Sequence, residues 1–222
     1  MKDKITLLYN GNEHEFPLIK GSENELAIDI KTLRQNTGLI TLDPGYKNTG
    51  SCISDITFLD GENGVLRYRG YDIADLANNS SFIEVSYLLI FGELPSKSDV
   101  EKFENDIKEE LLVHEDIKTI LKSFPTGAHP MGILASLTSA LISFNPGSVD
   151  VRSDEKMYHA IVQLMAKFSI LTAWVHRKHQ GLPLNYPDIS MSFVENLSKM
   201  MFMKPNKNFS NQSITISALN KL

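Results

Sequence analysis

The chain has 222 residues, 42% of them hydrophobic, and a formal net charge of −5, which predicts one or two folded domains and excludes a strongly basic surface for nucleic acid or anionic lipid. Its single cysteine, Cys52, excludes an internal disulfide and a cysteine-rich zinc site, which fits a reducing compartment. The first residues show no basic segment followed by an apolar run, and no stretch approaches about 18 uninterrupted apolar residues, so we expect a cytoplasmic protein without a membrane span.

Short apolar runs separated by turn-forming residues make up the first part of the chain. Strands are predicted at residues 5–8, 15–19, 39–42 and 53–59. A hairpin is predicted from residues 56–59 to 65–68, with Gly61 and Gly64 suited to positive φ angles in its turn. We therefore expect a small β-rich N-terminal domain over residues 1–62.

After Arg69 and Gly70 the apolar period changes from two to about 3.6 residues, which predicts helices. Helices are predicted at residues 73–77, 82–91, 98–113, 115–124, 130–144, 154–179 and 190–202, and another begins within 213–222. The expected fold class is mainly α, with residues 63–222 forming the first part of an all-α large domain.

Two of the predicted helices have distinctive faces. Small side chains follow one another three or four positions apart along residues 130–144, namely Ala135, Ser136, Ser139, Ala140 and Ser143. Such a face suits close packing against another helix, either across a subunit interface or within one subunit. The helix at 154–179 is apolar over most of its circumference, so we expect it to be central.

The residues alone assign no catalytic, cofactor-binding or metal site. His129 directly precedes Pro130 at a helix start, where a capping role is favoured over an active-site role. His176 and His179 lie one helical turn apart, but Arg177 and Lys178 would repel a cation, so a solvated helix end is favoured over a metal site. Phosphate-binding loops, hydrolase elbows and metalloprotease motifs do not occur in the sequence.

Several collinear blocks of the sequence carry a resemblance to a known family. They are residues 40–45 (ITLDPG), 51–61 (SCISDITFLDG), 64–73 (GVLRYRGYDI), 82–95 (FIEVSYLLIFGELP), 129–131 (HPM) and 196–202 (NLSKMMF). Together they cover nearly the whole chain in order. The chain resembles citrate synthases of the bacterial type, which have a small N-terminal β domain.

The resemblance implies an enzyme that condenses acetyl-CoA with oxaloacetate and water to give citrate and CoA, at the entry to the tricarboxylic acid cycle. In this family two histidines and an aspartate do the acid–base work and arginines hold the dicarboxylate. These groups lie beyond a segment similar to Leu-His-Ala-Asp-His-Glu, which follows the helix that begins here at residues 217–222. The resemblance therefore implies a truncated acyltransferase that is inactive alone, with acetyl-CoA as a substrate and no tightly bound cofactor.

The family assembles as dimers, or as hexamers built from dimers, so a homo-oligomer is the expected partner. Two alternatives remain open: 2-methylcitrate synthase, which uses propionyl-CoA with the same fold, and a non-catalytic helical interaction module derived from the family. Inhibition by NADH occurs in part of the bacterial subclass. Here Glu109 and Glu110 stand where basic side chains are usual, and Asn206 stands where a cysteine can occur, so we expect the complete enzyme to be insensitive to NADH.

Overall fold

The computed structural model describes residues 3–145, 150, 152–204 and 213–221. The chain divides into two compact units, Met1–Asp55 and Ile56–Leu222. The strands are β1 (Lys4–Tyr9), β2 (Asn12–Lys20), β3 (Leu26–Ile28), β4 (Thr57–Asp60), β5 (Val65–Tyr68) and β6 (Tyr71–Asp72). The helices are α1 (Leu33–Thr37), α2 (Ile73–Asn79), α3 (Phe82–Phe91), α4 (Lys97–Glu109), α5 (Asp116–Ser123), α6 (Pro130–Phe144), α7 (Asp154–His179), α8 (Phe193–Phe202) and α9 (Ser213–Lys221). The predicted fold class, mainly α with a small β-rich N-terminal part, is confirmed.

The first unit is an antiparallel sheet in the order β1-β2-β3. Its first hairpin turns at Asn10 and Gly11, whose φ angles of 50° and 77° are the pair of positive values that a tight two-residue turn needs. Phe16 and Leu33 are buried and provide its core. The strand predicted at residues 39–42 is wrong, since this described segment forms no strand and leaves Ile40 and Leu42 exposed.

The second unit begins with the predicted hairpin, which is confirmed. β4 pairs with β5 from Thr57↔Tyr68 to Asp60↔Val65, and Gly64 takes a φ of 67° in the turn, whereas Gly61 lies outside the left-handed region. The strand predicted at 53–59 is shorter at its start, because pairing with β5 begins only at Thr57. The two compact units meet between Asp55 and Ile56, whereas the expected domain boundary followed residue 62. A boundary at residue 62 would separate β4 from β5.

The helices pack around α7, as expected for a central helix. Trp174, Ile170 and Leu171 on this helix are at most 1% exposed, and the same core includes apolar side chains from α3 to α6 and from α8. Among the described helices, none is long and apolar enough to cross a membrane.

The two faces of α6 have opposite environments. Leu134, Leu137 and Leu141 are buried against the core. Most of the small residues singled out from the sequence, including Ser136 and Ser139, are exposed. Among the described residues no other helix covers this face, and both interpretations of it stay predictions.

Candidate functional site

Of the three histidines considered from the sequence, one caps a helix, one packs against an aromatic ring and one is exposed. His129 is the N-cap of α6, and its Nδ1 accepts a hydrogen bond of 3.2 Å from the Met131 amide, in agreement with the favoured capping role. The ring of His176 packs edge-on against Phe202, with ring centroids 5.5 Å apart, and His179 is exposed. In the described ranges, His, Cys, Asp and Glu residues form no group of three or more that could hold a metal ion.

The basic residues near the hairpin are engaged in the fold of the second unit. The guanidinium of Arg67 lies 5.8 Å from the ring centre of Phe58, and Nη2 of Arg69 donates to the carbonyl of Leu89 at 2.9 Å. These contacts fix β4 and β5 relative to α3. They give Arg67 and Arg69 structural roles within the second unit.

An ionic cluster joins the end of α4 to the middle of α7. The Lys167 ammonium, on a residue that is only 5% exposed, donates to Oε2 of Glu110 at 2.8 Å and to the Glu110 carbonyl at 3.1 Å. Gln163 donates to the same carboxylate oxygen at 3.1 Å. Burial raises the pKa of the Glu110 carboxyl, but the hydrogen bonds from Lys167 and Gln163 outweigh it and hold the pKa below its ordinary value.

A second buried cation closes the C-terminal end of α8. Arg177 on α7 has no exposed surface, and its Nη1 donates to the carbonyls of Met201 and Met203 at 3.2 and 2.8 Å. Its Nε donates to the carbonyl of Pro183. Burial lowers the pKa of this guanidinium. A cation at this position compensates the last carbonyls of α8, which have no partner within the helix.

The loop before α8 is attached to that helix by an amide clamp. Asn196, 3% exposed, accepts from the Asp188 amide at 3.0 Å and donates to the Asp188 carbonyl at 2.9 Å. The Asp188 carboxylate accepts a hydrogen bond of 2.6 Å from the Lys199 ammonium. This hydrogen bond is the main reason why the pKa of Asp188 lies far below its usual value. The start of α8 is thereby held in one place.

A large cleft lies where α3, α8 and α9 meet and has a volume of about 910 Å³. Hydroxyl and carboxylate side chains line much of it: Ser81, Glu104, Ser190, Ser192, Glu195, Ser213 and Ser217. Glu195 caps α8 by accepting from the Ser192 amide at 3.0 Å. The lining side chains can bind polar groups but include no histidine, lysine or cysteine to act as base or nucleophile.

The end of α9 is bound to the corner between α2 and α3. Oδ1 of Asn220 accepts a hydrogen bond of 3.0 Å from the amide of Phe82, the first residue of α3. The Lys221 ammonium donates to the carbonyl of Ala77, in the last turn of α2. No sequence motif pointed to Asn220, Lys221 or Lys167, because their partners lie 57 to 144 residues away along the chain.

Known proteins match both the sequence and the fold. The family model for the citrate synthase C-terminal domain matches residues 45–218. The citrate synthase of Corynebacterium glutamicum is 44% identical over 220 residues, covering 99% of this chain and 50% of the relative. Citrate synthase 1 of Mycobacterium tuberculosis is 36% identical, covering 99% and 51%.

A solved structure agrees with these sequence matches. The crystal structure of citrate synthase from Pyrobaculum aerophilum superposes with a TM-score of 0.68 at 26% identity, covering 80% of this chain and 45% of that one. The chain spans about half the length of the curated relatives it matches.

Proposed function

Because this chain belongs to the citrate synthase family, we propose that it forms the first half of an enzyme that condenses acetyl-CoA with oxaloacetate and water to give citrate and CoA. The observation that carries the proposal is the 44% identity to a citrate synthase across 99% of this chain. A shared scaffold alone would not fix the reaction, but similarity of this extent over the whole chain supports a shared reaction.

The proposed role of these residues is to support the reacting groups. The described histidines considered above, His129, His176 and His179, are used in capping and packing or face solvent, and none of them lines the large cleft. The family resemblance puts the two histidines, the aspartate and the dicarboxylate-binding arginines after α9. Acetyl-CoA and oxaloacetate are accordingly proposed as substrates of the complete protein, in the cytoplasm.

An outer surface on α6 and α7 supports a homo-oligomer. Ile142 on α6 is 51% exposed, and Leu164 and Phe168 on α7 are 49% and 42% exposed. A groove of about 410 Å³ runs between the two helices and is lined mainly by apolar atoms. An exposed apolar surface with small side chains beside it suits helix packing across a two-fold axis, so a dimer, or a hexamer built from dimers, is proposed.

The propionyl-CoA alternative and the non-catalytic module have no observation in their favour, since the relatives named above are citrate synthases. Both are outcomes of the test. We would express the complete reading frame that contains this sequence, and separately the 222 residues alone. Each is mixed with oxaloacetate and either acetyl-CoA or propionyl-CoA, and the free thiol of released CoA is followed.

The complete protein should release CoA fastest from acetyl-CoA, and the 222-residue chain should release none. Loss of one catalytic group typically lowers the rate by about 10²–10⁴, so absence of all of them leaves no measurable turnover. Preference for propionyl-CoA would replace the proposal by the methylcitrate reaction. A reading frame that stops at Leu222, or turnover by the short chain that His129→Ala abolishes, would overturn it.

A further inference from the structure

The corner between α2 and α3 presents two helix ends of opposite polarity side by side. α2 ends at Asn79, and α3 begins at Phe82 after the N-cap Ser81. The final carbonyls of a helix carry partial negative charge and its first amides carry partial positive charge. A partner that has a cation next to an acceptor therefore fits this corner in one orientation.

The corner satisfies part of its own backbone. In the capping box of α3, the Ser81 hydroxyl accepts from the Glu84 amide at 3.3 Å and the Glu84 carboxylate accepts from the Ser81 amide at 2.6 Å. At the end of α2 the Ser80 amide donates to the carbonyl of Leu76 at 2.9 Å. The capping box leaves the Phe82 amide to another acceptor, since the first amides of a helix have no partner inside it.

The tip of α9 supplies the complementary pair. Asn220 accepts from the Phe82 amide at 3.0 Å, and the neighbouring Lys221 donates to the Ala77 carbonyl. Each side chain matches the polarity of the helix end that it contacts. The corner is also attached to α8, because the rings of Phe82 and Phe193 stack with centroids 5.4 Å apart and planes within 5°.

We propose that the corner between α2 and α3 is the seat that fixes the end of α9, with Asn220 and Lys221 as positioning residues for the segment that follows this helix. The inference rests on the proposed function, in which that segment carries the catalytic histidines. Neither residue touches a reacting atom. Each acts by setting where α9 ends, and a displacement of about 1 Å at a reacting group can lower a rate about 100-fold.

The first experiment measures how well the seat is protected from hydrogen exchange and does not depend on enzyme activity. Amide hydrogen exchange is compared for wild type, Asn220→Leu, Asn220→Asp and the control Thr215→Val, which removes a hydroxyl from an exposed position of the same helix. Asn220→Leu should speed exchange about tenfold or more at residues 80–84 and 213–221. Asn220→Asp should retain protection, because a carboxylate also accepts from the first amide of α3. Equal exchange in Asn220→Leu and wild type would overturn the inference.

The second experiment uses the complete reading frame. Asn220→Leu and Lys221→Ala should each lower kcat about 10- to 100-fold, with KM for both substrates changed less than about threefold, because positioning of the reacting groups is lost while substrate contacts remain. Asn220→Asp and Thr215→Val should stay near wild type. An unchanged kcat in Asn220→Leu, or a fall that Asn220→Asp does not rescue, would overturn the inference. An inactive wild type would instead refute the proposed function, and the exchange measurement would still decide whether the seat exists.

Discussion

Replacement of Glu110 by alanine should destabilise the second unit far more than replacement of its neighbour Glu109. The Lys167 side chain is 6% exposed and its ammonium lies 2.8 Å from the Glu110 carboxylate. In Glu110→Ala this buried ammonium keeps the backbone carbonyl of residue 110, at 3.1 Å, but loses its counter-charge. Glu109 is exposed at the end of the same helix, where an acidic side chain gains nothing from the helix dipole.

The magnitude follows from the burial of the pair. Removal of one partner of a fully buried ion pair costs about 3–5 kcal/mol. The Glu110 side chain is 24% exposed, so water can approach the cation in the variant, and we expect a loss of about 2–3 kcal/mol in the free energy of unfolding. For a chain of this length such a loss lowers Tm by roughly 4–12 °C. Glu109→Ala should change the free energy by less than about 0.5 kcal/mol.

The effect should also depend on pH, with a sign set by Glu110. The folded-state pKa of this carboxyl lies below its ordinary value, so its stabilising contribution is present above the unfolded-state pKa and is lost as the pH falls through the folded-state pKa. Wild type and Glu110→Ala should therefore differ most near neutral pH and converge in acid.

Urea titrations of wild type, Glu110→Ala and Glu109→Ala at several pH values provide the assay. The double variant Glu110→Ala with Lys167→Met should recover part of the loss, because it removes the unpaired cation as well. Equal stabilities of the two single variants at neutral pH, or a difference that does not shrink toward about pH 3, would refute the reasoning.

Three further expectations concern other parts of the molecule. Activity of the complete protein should be insensitive to NADH below about 1 mM. The Lys167 ammonium is already paired with the Glu110 carboxylate, and Glu109 adds an exposed carboxylate that would repel the phosphates of NADH. Inhibition in a CoA-release assay would contradict this. The 222-residue chain should self-associate in light scattering after size exclusion, and Ile142→Glu should reduce it, whereas a monomer at every concentration would argue against the α6 and α7 surface. Asn196→Leu should lower the free energy of unfolding by about 1–3 kcal/mol, measured by heat or urea, because the backbone amide and carbonyl of Asp188 both lose their partner. The control is Asn105→Leu at an exposed position, and an equally small effect of the two substitutions would show that the clamp does not stabilise the fold.

Local sequence signals predicted the first and last residues of the helices that have strong capping residues. α3, α6 and α7 begin and end at the predicted residues, since Ser81 and Gly92 bound α3, His129 and Pro130 start α6, and Ser153 caps α7. The family resemblance also followed from the sequence, because collinear blocks need no tertiary information. Asn206, which entered the expectation of NADH insensitivity, lies outside the described residues.

Tertiary structure decided the elements whose ends depend on distant partners. The helix predicted at 98–113 ends at Glu109, because Leu111 and Val113 leave the helical path to enter the core. The helix predicted from residue 190 begins at Phe193, after Asp188 and Asn196 have fixed the preceding loop. The strand predicted at 39–42 has the right alternation, but no strand in the described part of the chain lies beside it, and a strand forms only when it has a partner.

The candidate site shows the same division. Sequence reasoning predicted the capping role of His129 because the residues involved are adjacent in the chain. The contacts of Lys167 with Glu110, and of Asn220 with Phe82, join groups 57 and 138 residues apart. A hydrogen bond between such distant residues leaves no local pattern in the sequence, because the partner of each side chain depends on which groups the packed helices bring within hydrogen-bond reach.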